Sequence, residues 1–128
     1  PSEISEHVKS CCRQIYFFPV INSFAQKVKN YTKSAIVTVN ADIFNEIIIP
    51  HYNLSEYYDN FVNSCDYGEL DKLKLCEISL KQMGGVKIEN TLLIENTKAN
   101  VDQYREAGGD SYFYEGDENF QKDFVLLD

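Results

Sequence analysis

The stretch TLLIENTKANVDQYREAGG, from Thr91 to Gly109, decides the fold of this chain. It begins with a short apolar run, Thr91 to Ile94, which predicts a fully buried strand. Glu95 and Asn96 follow directly, and both side chains carry oxygens that can bind a cation. A helix is expected next, with a pair of glycines as its stop. Strand, acidic turn, helix and a further strand form a parallel α/β unit, and ligands bind at the carboxyl edge of such sheets.

Apolar runs and helical patterns alternate along the rest of the chain. Further strands are predicted at Ser34–Val39, Phe61–Cys65 and Ser111–Tyr114. Helices are predicted at Ser5–Ile15 and Val20–Val28, from Asp42 to an end near Pro50, and at Lys72–Met83. The acidic segment from Glu115 to Asp128 predicts a surface turn and a terminal strand or helical piece. We therefore expect one α/β domain, a Rossmann-like parallel sheet with helices on both faces.

The composition predicts a globular domain with excess negative charge. A chain of 128 residues is long enough to bury a core. The formal net charge of −8 argues against non-specific binding to nucleic acid or to anionic lipid, because both are polyanions. No apolar run approaches the ~20 residues that span a bilayer, and the polar first residues lack the pattern of a secretory signal. We expect no nucleic-acid partner and no membrane partner.

The cysteines predict a reducing compartment. Cys11 and Cys12 are adjacent and form a poor disulfide pair, and their spacing to Cys65 and Cys76 matches no zinc pattern. Only two histidines are available as further ligands. We therefore expect reduced, mostly buried or inert cysteines in a cytoplasmic protein.

Polar groups lie at three places beside the ends of the predicted elements. They are a hydroxyl with the two residues after it, two lysines near a helix start, and an acidic residue with its amide neighbour: Thr38, Val39, Asn40, Lys72, Lys74, Glu95 and Asn96. Phosphoryl chemistry requires this set, because a hydroxyl and backbone N–H groups hold phosphoryl oxygens, an ammonium neutralises developing charge, and a carboxylate holds magnesium. Each group also has a plain structural explanation, as a turn residue, a solvated lysine or an acidic group at a helix N-terminus.

In this order along the chain, the motifs resemble those of the haloacid dehalogenase superfamily, whose members are mostly magnesium-dependent phosphatases. FFPVINSFAQKVKNYTKSAIVTVN resembles the family's proline-led helix and the strand of its second motif. LSEYYDNFVNSCDYGELDKLKLCEISLKQMGG resembles the passage that leads to the third-motif lysine. IENTKANVDQYREAGGDSYFY resembles the fourth motif. The resemblance covers about residues 17–114.

The resemblance implies a fold and an activity. It implies a haloacid dehalogenase-like α/β core at residues 17–128, and it makes residues 1–16 the end of a helical cap or an N-terminal helix. It implies a hydrolase of the phosphatase type with an aspartyl-phosphate mechanism in the full-length protein. Mg²⁺ would be the cofactor, bound weakly or not at all by this chain, and a small phosphorylated metabolite the substrate.

The resemblance also assigns roles to the polar residues. Thr38 would be catalytic and, together with Val39 and Asn40, would bind the phosphate. Lys72 would be the catalytic lysine, although the proline that usually follows it in the family is a leucine here. Lys74 is the competing choice, because the loop before the helix is about two residues short.

Glu95 and Asn96 would be the metal ligands by the same resemblance. The second of these positions is commonly an aspartate in the family. The amide oxygen of Asn96 can bind magnesium but carries no charge, so the affinity should be lower.

The family's nucleophile is missing. It stands in an Asp-x-Asp motif at the end of the first strand, and no Asp-x-Asp occurs in the sequence. In the apolar run before the first strand, Phe18 and Val20 would occupy the two places, and neither can form an aspartyl-phosphate. We therefore expect the nucleophile strand upstream of Pro1, so that this chain is a fragment without the nucleophile.

The missing strand has a structural consequence. In the family it lies between the strands that end here at Thr38 and Ile94, so a core without it would leave two strand edges unpaired. An upstream segment, another chain or a rearranged IYFF segment would supply it.

Two other functions remain open. One is a catalytically inactive haloacid dehalogenase-like binding or regulatory domain, which Asn96 and the missing nucleophile favour. The other is a flavodoxin-like nucleotide-binding domain, which the lack of a glycine-rich phosphate loop disfavours. If the chain is instead a fragment of a phosphatase, it should also show little or no phosphatase activity on its own.

Overall fold

Four short strands pair in two separate parallel sheets. The computed structural model describes residues 19–124. Strand β1 (Ala35–Thr38) pairs with β2 (Asn60–Asn63), and β3 (Leu92–Glu95) pairs with β4 (Asp110–Phe113). Within residues 19–124 no strand joins the two pairs into one sheet. The α/β class with parallel pairing is confirmed. The predicted helix at Ser5–Ile15, the cap and the last four residues lie outside the described part.

Helices connect the strands and flank them. In chain order they are α1 (Pro19–Val28), α2 (Ile49–His51), α3 (Ser64–Tyr67), α4 (Lys72–Gln82), α5 (Lys98–Glu106) and α6 (Asp117–Asp123). A π-helical turn at Phe44–Ile48 runs into α2, and short 3₁₀ turns lie at Leu54–Glu56 and Ile88–Asn90. The crossover from β1 to β2 therefore contains helical turns, and that from β3 to β4 contains α5, as parallel pairing requires.

Buried apolar side chains hold each sheet to its helices. Phe44, Ile48 and Leu54 come from the segment that connects β1 to β2, and they form a buried cluster. This cluster packs on Ile36 and Phe61. Helix α4 packs on β1 and β2, and α5 packs on β3 and β4. Among residues 20–124, the fully or nearly fully buried apolar residues are Ala25, Phe44, Ile48, Leu54, Val62, Leu75, Cys76, Val101, Tyr104 and Phe120.

An aromatic cluster connects the two ends of the described chain. Phe24 of α1 contacts Phe120 of α6 edge to face, with ring centroids 5.1 Å apart. Tyr112 of β4 contacts the same Phe120 ring at 5.8 Å. Offset and edge-to-face pairs of this kind stabilise a core beyond the area that they bury. Helix α1 is thereby attached to the second sheet.

Two sequence-based expectations about elements are wrong in detail. The run Thr91 to Ile94 was expected to be fully buried, but Leu92 is 46% exposed. It lies at the start of β3 opposite Asp110, which is also exposed, so this end of the sheet is uncovered. Residues 64 and 65 leave the predicted second strand and begin α3, which ends at Gly68 with φ of 61°.

The helix expected to end near Pro50 does end there, at His51. The N–H of Ile49 bonds to the carbonyl of Phe44 five residues back, which widens the turn. Pro50 has no N–H to donate, so a regular α-helical bond is absent at this position.

The packing of α4 predicts the effect of a core truncation. Leu75 has no exposed surface, whereas Leu70, two residues before the helix, is 75% exposed. We expect Leu75→Ala to lower the free energy of unfolding by about 2–5 kcal/mol, because the buried cavity is added to the lost transfer energy. Leu70→Ala should change it by less than about 0.5 kcal/mol. Urea denaturation measures both, and equal effects of the two variants would contradict the packing described.

Candidate functional site

Lys72 lies between the carboxyl ends of the two strand pairs. Its Nζ donates to the carbonyl oxygen of Val37 in β1 at 2.5 Å. The same atom lies 3.4 Å from Oε1 of Glu95, the last residue of β3. The Lys72 and Glu95 side chains are only 18% and 7% exposed. One ammonium therefore joins two strands that share no backbone hydrogen bond.

The start of α4 fixes the position of Lys72. Asp71 is the N-cap, and its Oδ1 accepts from the N–H of Leu73 at 3.0 Å. Aspartate at this position satisfies one of the free N–H groups of a helix and typically contributes about 1 kcal/mol. The same Oδ1 accepts from Nε2 of Gln103 in α5 at 3.3 Å. The cap thus places Lys72 at the first helical position and ties α4 to α5.

The Glu95 carboxylate is surrounded by donors. Its Oε2 accepts from the backbone N–H groups of Asn96 at 2.7 Å and Thr97 at 3.0 Å. Its Oε1 accepts from Nδ2 of Asn100 at 3.2 Å, on the side where Lys72 approaches. The carboxylate stands at the N-terminus of α5, where the helix dipole favours negative charge. A buried charge needs partners of this kind to offset its lost hydration.

The structure distinguishes the two candidate lysines. Lys74 is 65% exposed, and its Nζ lies 3.9 Å from Oε1 of Glu69, itself 32% exposed. Such a surface pair contributes little. Lys72, not Lys74, is brought to Glu95 and to the end of β1. The catalytic role of Lys72 stays a prediction.

Thr38 ends β1 and stands one residue after the carbonyl that Lys72 contacts. It is half-buried, and the next residue, Val39, is 50% exposed. The register places Thr38 beside Asn63 of β2. The structure therefore brings the predicted hydroxyl and the lysine to the carboxyl end of the same strand.

Asn40, the third residue predicted to bind phosphate, uses its N–H inside the chain. It donates to Oδ1 of Asn63 at 3.1 Å and to Oγ of Ser64 at 2.9 Å. Asn63 and Ser64 were missed by sequence reasoning, although they too are polar residues at the exit of an apolar strand. That signal could have identified them.

The predicted magnesium ligands form only part of a metal site. Asn96 is exposed, and Glu95 already accepts hydrogen bonds on both oxygens. Among residues 19–124, no three His, Cys, Asp or Glu side chains are grouped so as to hold a metal ion. Magnesium takes six ligands in near-octahedral geometry. The described side chains alone do not fit it, so the assignment of Glu95 and Asn96 stays a prediction.

A thiol lies behind Lys72, one turn further along α4. Cys76 is 4% exposed, and burial raises the pKa of its thiol to about 11, with the nearby Lys72 ammonium acting in the opposite direction. The thiolate is the reactive form of cysteine. Cys76 is therefore an inert part of the core, and both Cys65 and Cys76 are free thiols.

Comparison with known proteins adds no family. No family model matches this chain, and no curated protein matches it significantly. Within residues 19–124 there is no helix with the length and apolar content needed to cross a lipid bilayer.

The geometry around Lys72 predicts unequal effects of removing the two lysines. We expect Lys72→Ala to lower the free energy of unfolding by about 1–3 kcal/mol, because it leaves the buried Glu95 carboxylate without its counter-charge. Lys74→Ala, the matched control on the same helix, should change it by less than about 0.5 kcal/mol. Urea denaturation of both variants is the measurement. A loss for Lys74→Ala that equals the loss for Lys72→Ala would show that the pairing is wrong.

Proposed function

We propose that this chain forms the α/β core of a haloacid dehalogenase-like hydrolase of the magnesium-dependent phosphatase type. In this proposal the chain supplies a phosphate-binding hydroxyl, a catalytic ammonium and one acidic residue. The nucleophilic aspartate is contributed by a segment outside this sequence or by another chain. The substrate is a small phosphorylated metabolite, and the protein is cytoplasmic, which suits the free thiols of Cys65 and Cys76.

The contact of Lys72 with Val37 and Glu95 is the observation that carries the proposal. Ligands of open α/β sheets bind at the carboxyl ends of the strands. Lys72 and Glu95 came from separate motifs far apart in sequence, and the fold places their charged groups 3.4 Å apart at that edge. The pairing of Thr38 with Asn63 puts the hydroxyl at the same end of β1.

The separation of the two sheets also supports the proposal. β1 and β3 each have one strand partner among the described residues, and the Lys72 side chain contacts the carboxyl ends of both. A strand between β1 and β3 would produce the single Rossmann-like sheet of the family. Such a strand would end beside Lys72, where an aspartate at its carboxyl end would be close to the ammonium.

Each residue would have a definite part in the reaction. The nucleophilic carboxylate attacks phosphorus and displaces the alcohol of the substrate, and water then hydrolyses the aspartyl-phosphate. The Thr38 hydroxyl donates a hydrogen bond to a phosphoryl oxygen. Lys72 neutralises charge on the transferring group. Glu95 pairs with the Lys72 ammonium and holds it at the strand ends.

Magnesium would polarise the phosphoryl group when bound. Further carboxylates from outside the described residues would be needed to hold it, because both oxygens of Glu95 already accept hydrogen bonds. The Asn96 side chain would add one neutral oxygen. No step above depends on a metal position.

A catalytically inactive haloacid dehalogenase-like binding or regulatory domain is the alternative. The engagement of the Glu95 oxygens and of the Asn40 N–H within the chain favours it. Both functions share the fold. Hydrolysis of a phosphate ester by the full-length protein is expected only for the phosphatase, so it distinguishes the two.

The proposal predicts where activity should appear. The chain alone should hydrolyse p-nitrophenyl phosphate at the rate of the buffer, because it lacks the nucleophile. The full protein encoded by the same reading frame should hydrolyse it with Mg²⁺. Lys72→Ala and Thr38→Ala should each reduce that kcat by about 100-fold or more, since each removes a group that stabilises transition-state charge.

Lys74→Ala is the control and should keep the wild-type rate. An active full-length enzyme whose kcat is unchanged by Lys72→Ala would overturn the proposed role of the lysine. A full reading frame without Asp-x-Asp after a strand pattern, together with no hydrolysis, would favour the inactive domain.

The proposal also predicts weak metal binding by the isolated chain. We expect a Kd for Mg²⁺ above about 1 mM by isothermal titration calorimetry, because one engaged carboxylate and one amide provide too few free oxygens. Glu95→Gln should leave this weak binding almost unchanged. Micromolar binding by the wild-type chain that is lost in Glu95→Gln would contradict the description of Glu95.

A further inference from the structure

Two buried polar residues hold the loop that follows β1. Asn63 ends β2 and Ser64 begins α3, and they are 1% and 5% exposed. The loop is residues 39–41, directly after Thr38. Asn63 and Ser64 make four hydrogen bonds to its backbone, and the geometry of each is specific.

The Asn63 amide spans the loop. Its Oδ1 accepts from the N–H of Asn40 at 3.1 Å, and its Nδ2 donates to the carbonyl of Ala41 at 2.9 Å. Turning the amide over would break both bonds, so the two partners fix its orientation. A second acceptor for Nδ2 is Oδ1 of Asn45, at 3.4 Å.

The Ser64 hydroxyl holds both polar groups of one loop residue. Its Oγ accepts from the N–H of Asn40 at 2.9 Å and donates to the carbonyl of Asn40 at 3.2 Å. With Asn63, it fully engages the Asn40 N–H inside the protein. Buried polar networks that are satisfied in this way make a backbone rigid.

We propose that Asn63 and Ser64 are positioning residues for the phosphate-binding group at the end of β1. They withdraw the Asn40 N–H from the site and fix loop 39–41, so that Thr38 and the backbone of Val39 are the groups that meet a phosphate. This inference rests on the proposed function. It differs from the sequence-based assignment, in which Asn40 itself bound the phosphate.

The physical advantage is preorganisation. A loop that is already ordered loses little conformational entropy when a ligand binds. Val39 is 50% exposed, whereas the two residues that fix the loop are buried. Ligand contact and loop positioning are therefore carried by different residues, and mutation can separate them.

The test is a titration of the chain with inorganic phosphate at constant ionic strength, followed by the backbone amide signals of Thr38 and Val39 in ¹H–¹⁵N NMR spectra. Thr38→Ala should abolish the response. Asn63→Ala and Ser64→Ala should each raise the Kd for phosphate by about fivefold or more, because the loop must then be ordered on binding. Ser64→Ala is the milder variant and keeps the test decisive if Asn63→Ala does not fold.

The other end of the first sheet offers matched controls. Asn60 begins β2, and its Nδ2 donates to Oγ of the buried Ser79 at 3.0 Å, away from loop 39–41. Asn60→Ala and Ser79→Ala remove the same chemical groups but should leave the Kd for phosphate within about twofold, since additive effects are expected for separate sites.

The outcomes distinguish the phosphate site itself from the positioning role of Asn63 and Ser64. No phosphate-dependent shift at Thr38 and Val39 in the wild-type chain overturns the phosphate site and this inference together. A shift that is lost in Thr38→Ala but has the same Kd in Asn63→Ala, Ser64→Ala and both controls supports the phosphate site and overturns the positioning role alone.

Discussion

The ion pair between Lys72 and Glu95 is the interaction on which the arrangement of the two sheets depends. Both side chains are largely buried, so each charge loses hydration that the fold must replace. The replacement is specific: the ammonium also donates to the Val37 carbonyl, and the carboxylate accepts from two backbone N–H groups and from Asn100. A side chain thereby joins the ends of two strands where backbone pairing is absent.

This constraint links the fold to the proposed chemistry. The ammonium belongs to α4, the carboxylate to β3, and the carbonyl to β1, so three elements must be correctly packed before the contact forms. Helix α4 carries Lys72 at its first position and Leu75 in the core, one turn further along. Core packing therefore sets the position of the charged group, and a hydroxyl at the end of β1 is held at the same edge.

Much of the fold could be predicted from local pattern. The apolar run before Thr38 and the periodicity of Val101 and Tyr104 specify a strand and a helix face, because alternation and helical spacing act within a few residues. The exposed Leu92 could not be predicted, since its environment depends on what covers the end of β3. The π turn before Pro50 could not be predicted either, since local apolar spacing does not distinguish it from a regular helical turn.

The residue types of the candidate site could be predicted from the sequence, but the contacts between them could not. Sequence placed a hydroxyl, a lysine and an acid at strand exits, yet it left Lys72 and Lys74 as alternatives. The choice depends on the cap at Asp71 and on the distance across the fold to Glu95, and neither is a local property. The contacts of Asn63 with loop 39–41 could not be predicted for the same reason, because its partners lie over 20 residues away.

The central claim is that Lys72 and Glu95 interact directly, and a double-mutant cycle tests it. The free energy of unfolding would be measured for the wild type, Lys72→Met, Glu95→Gln and the double variant. Both substitutions keep the side-chain volume nearly constant. We expect a coupling energy of about 1–2 kcal/mol, because each single variant leaves the remaining charge without its partner. A coupling energy indistinguishable from zero would contradict it.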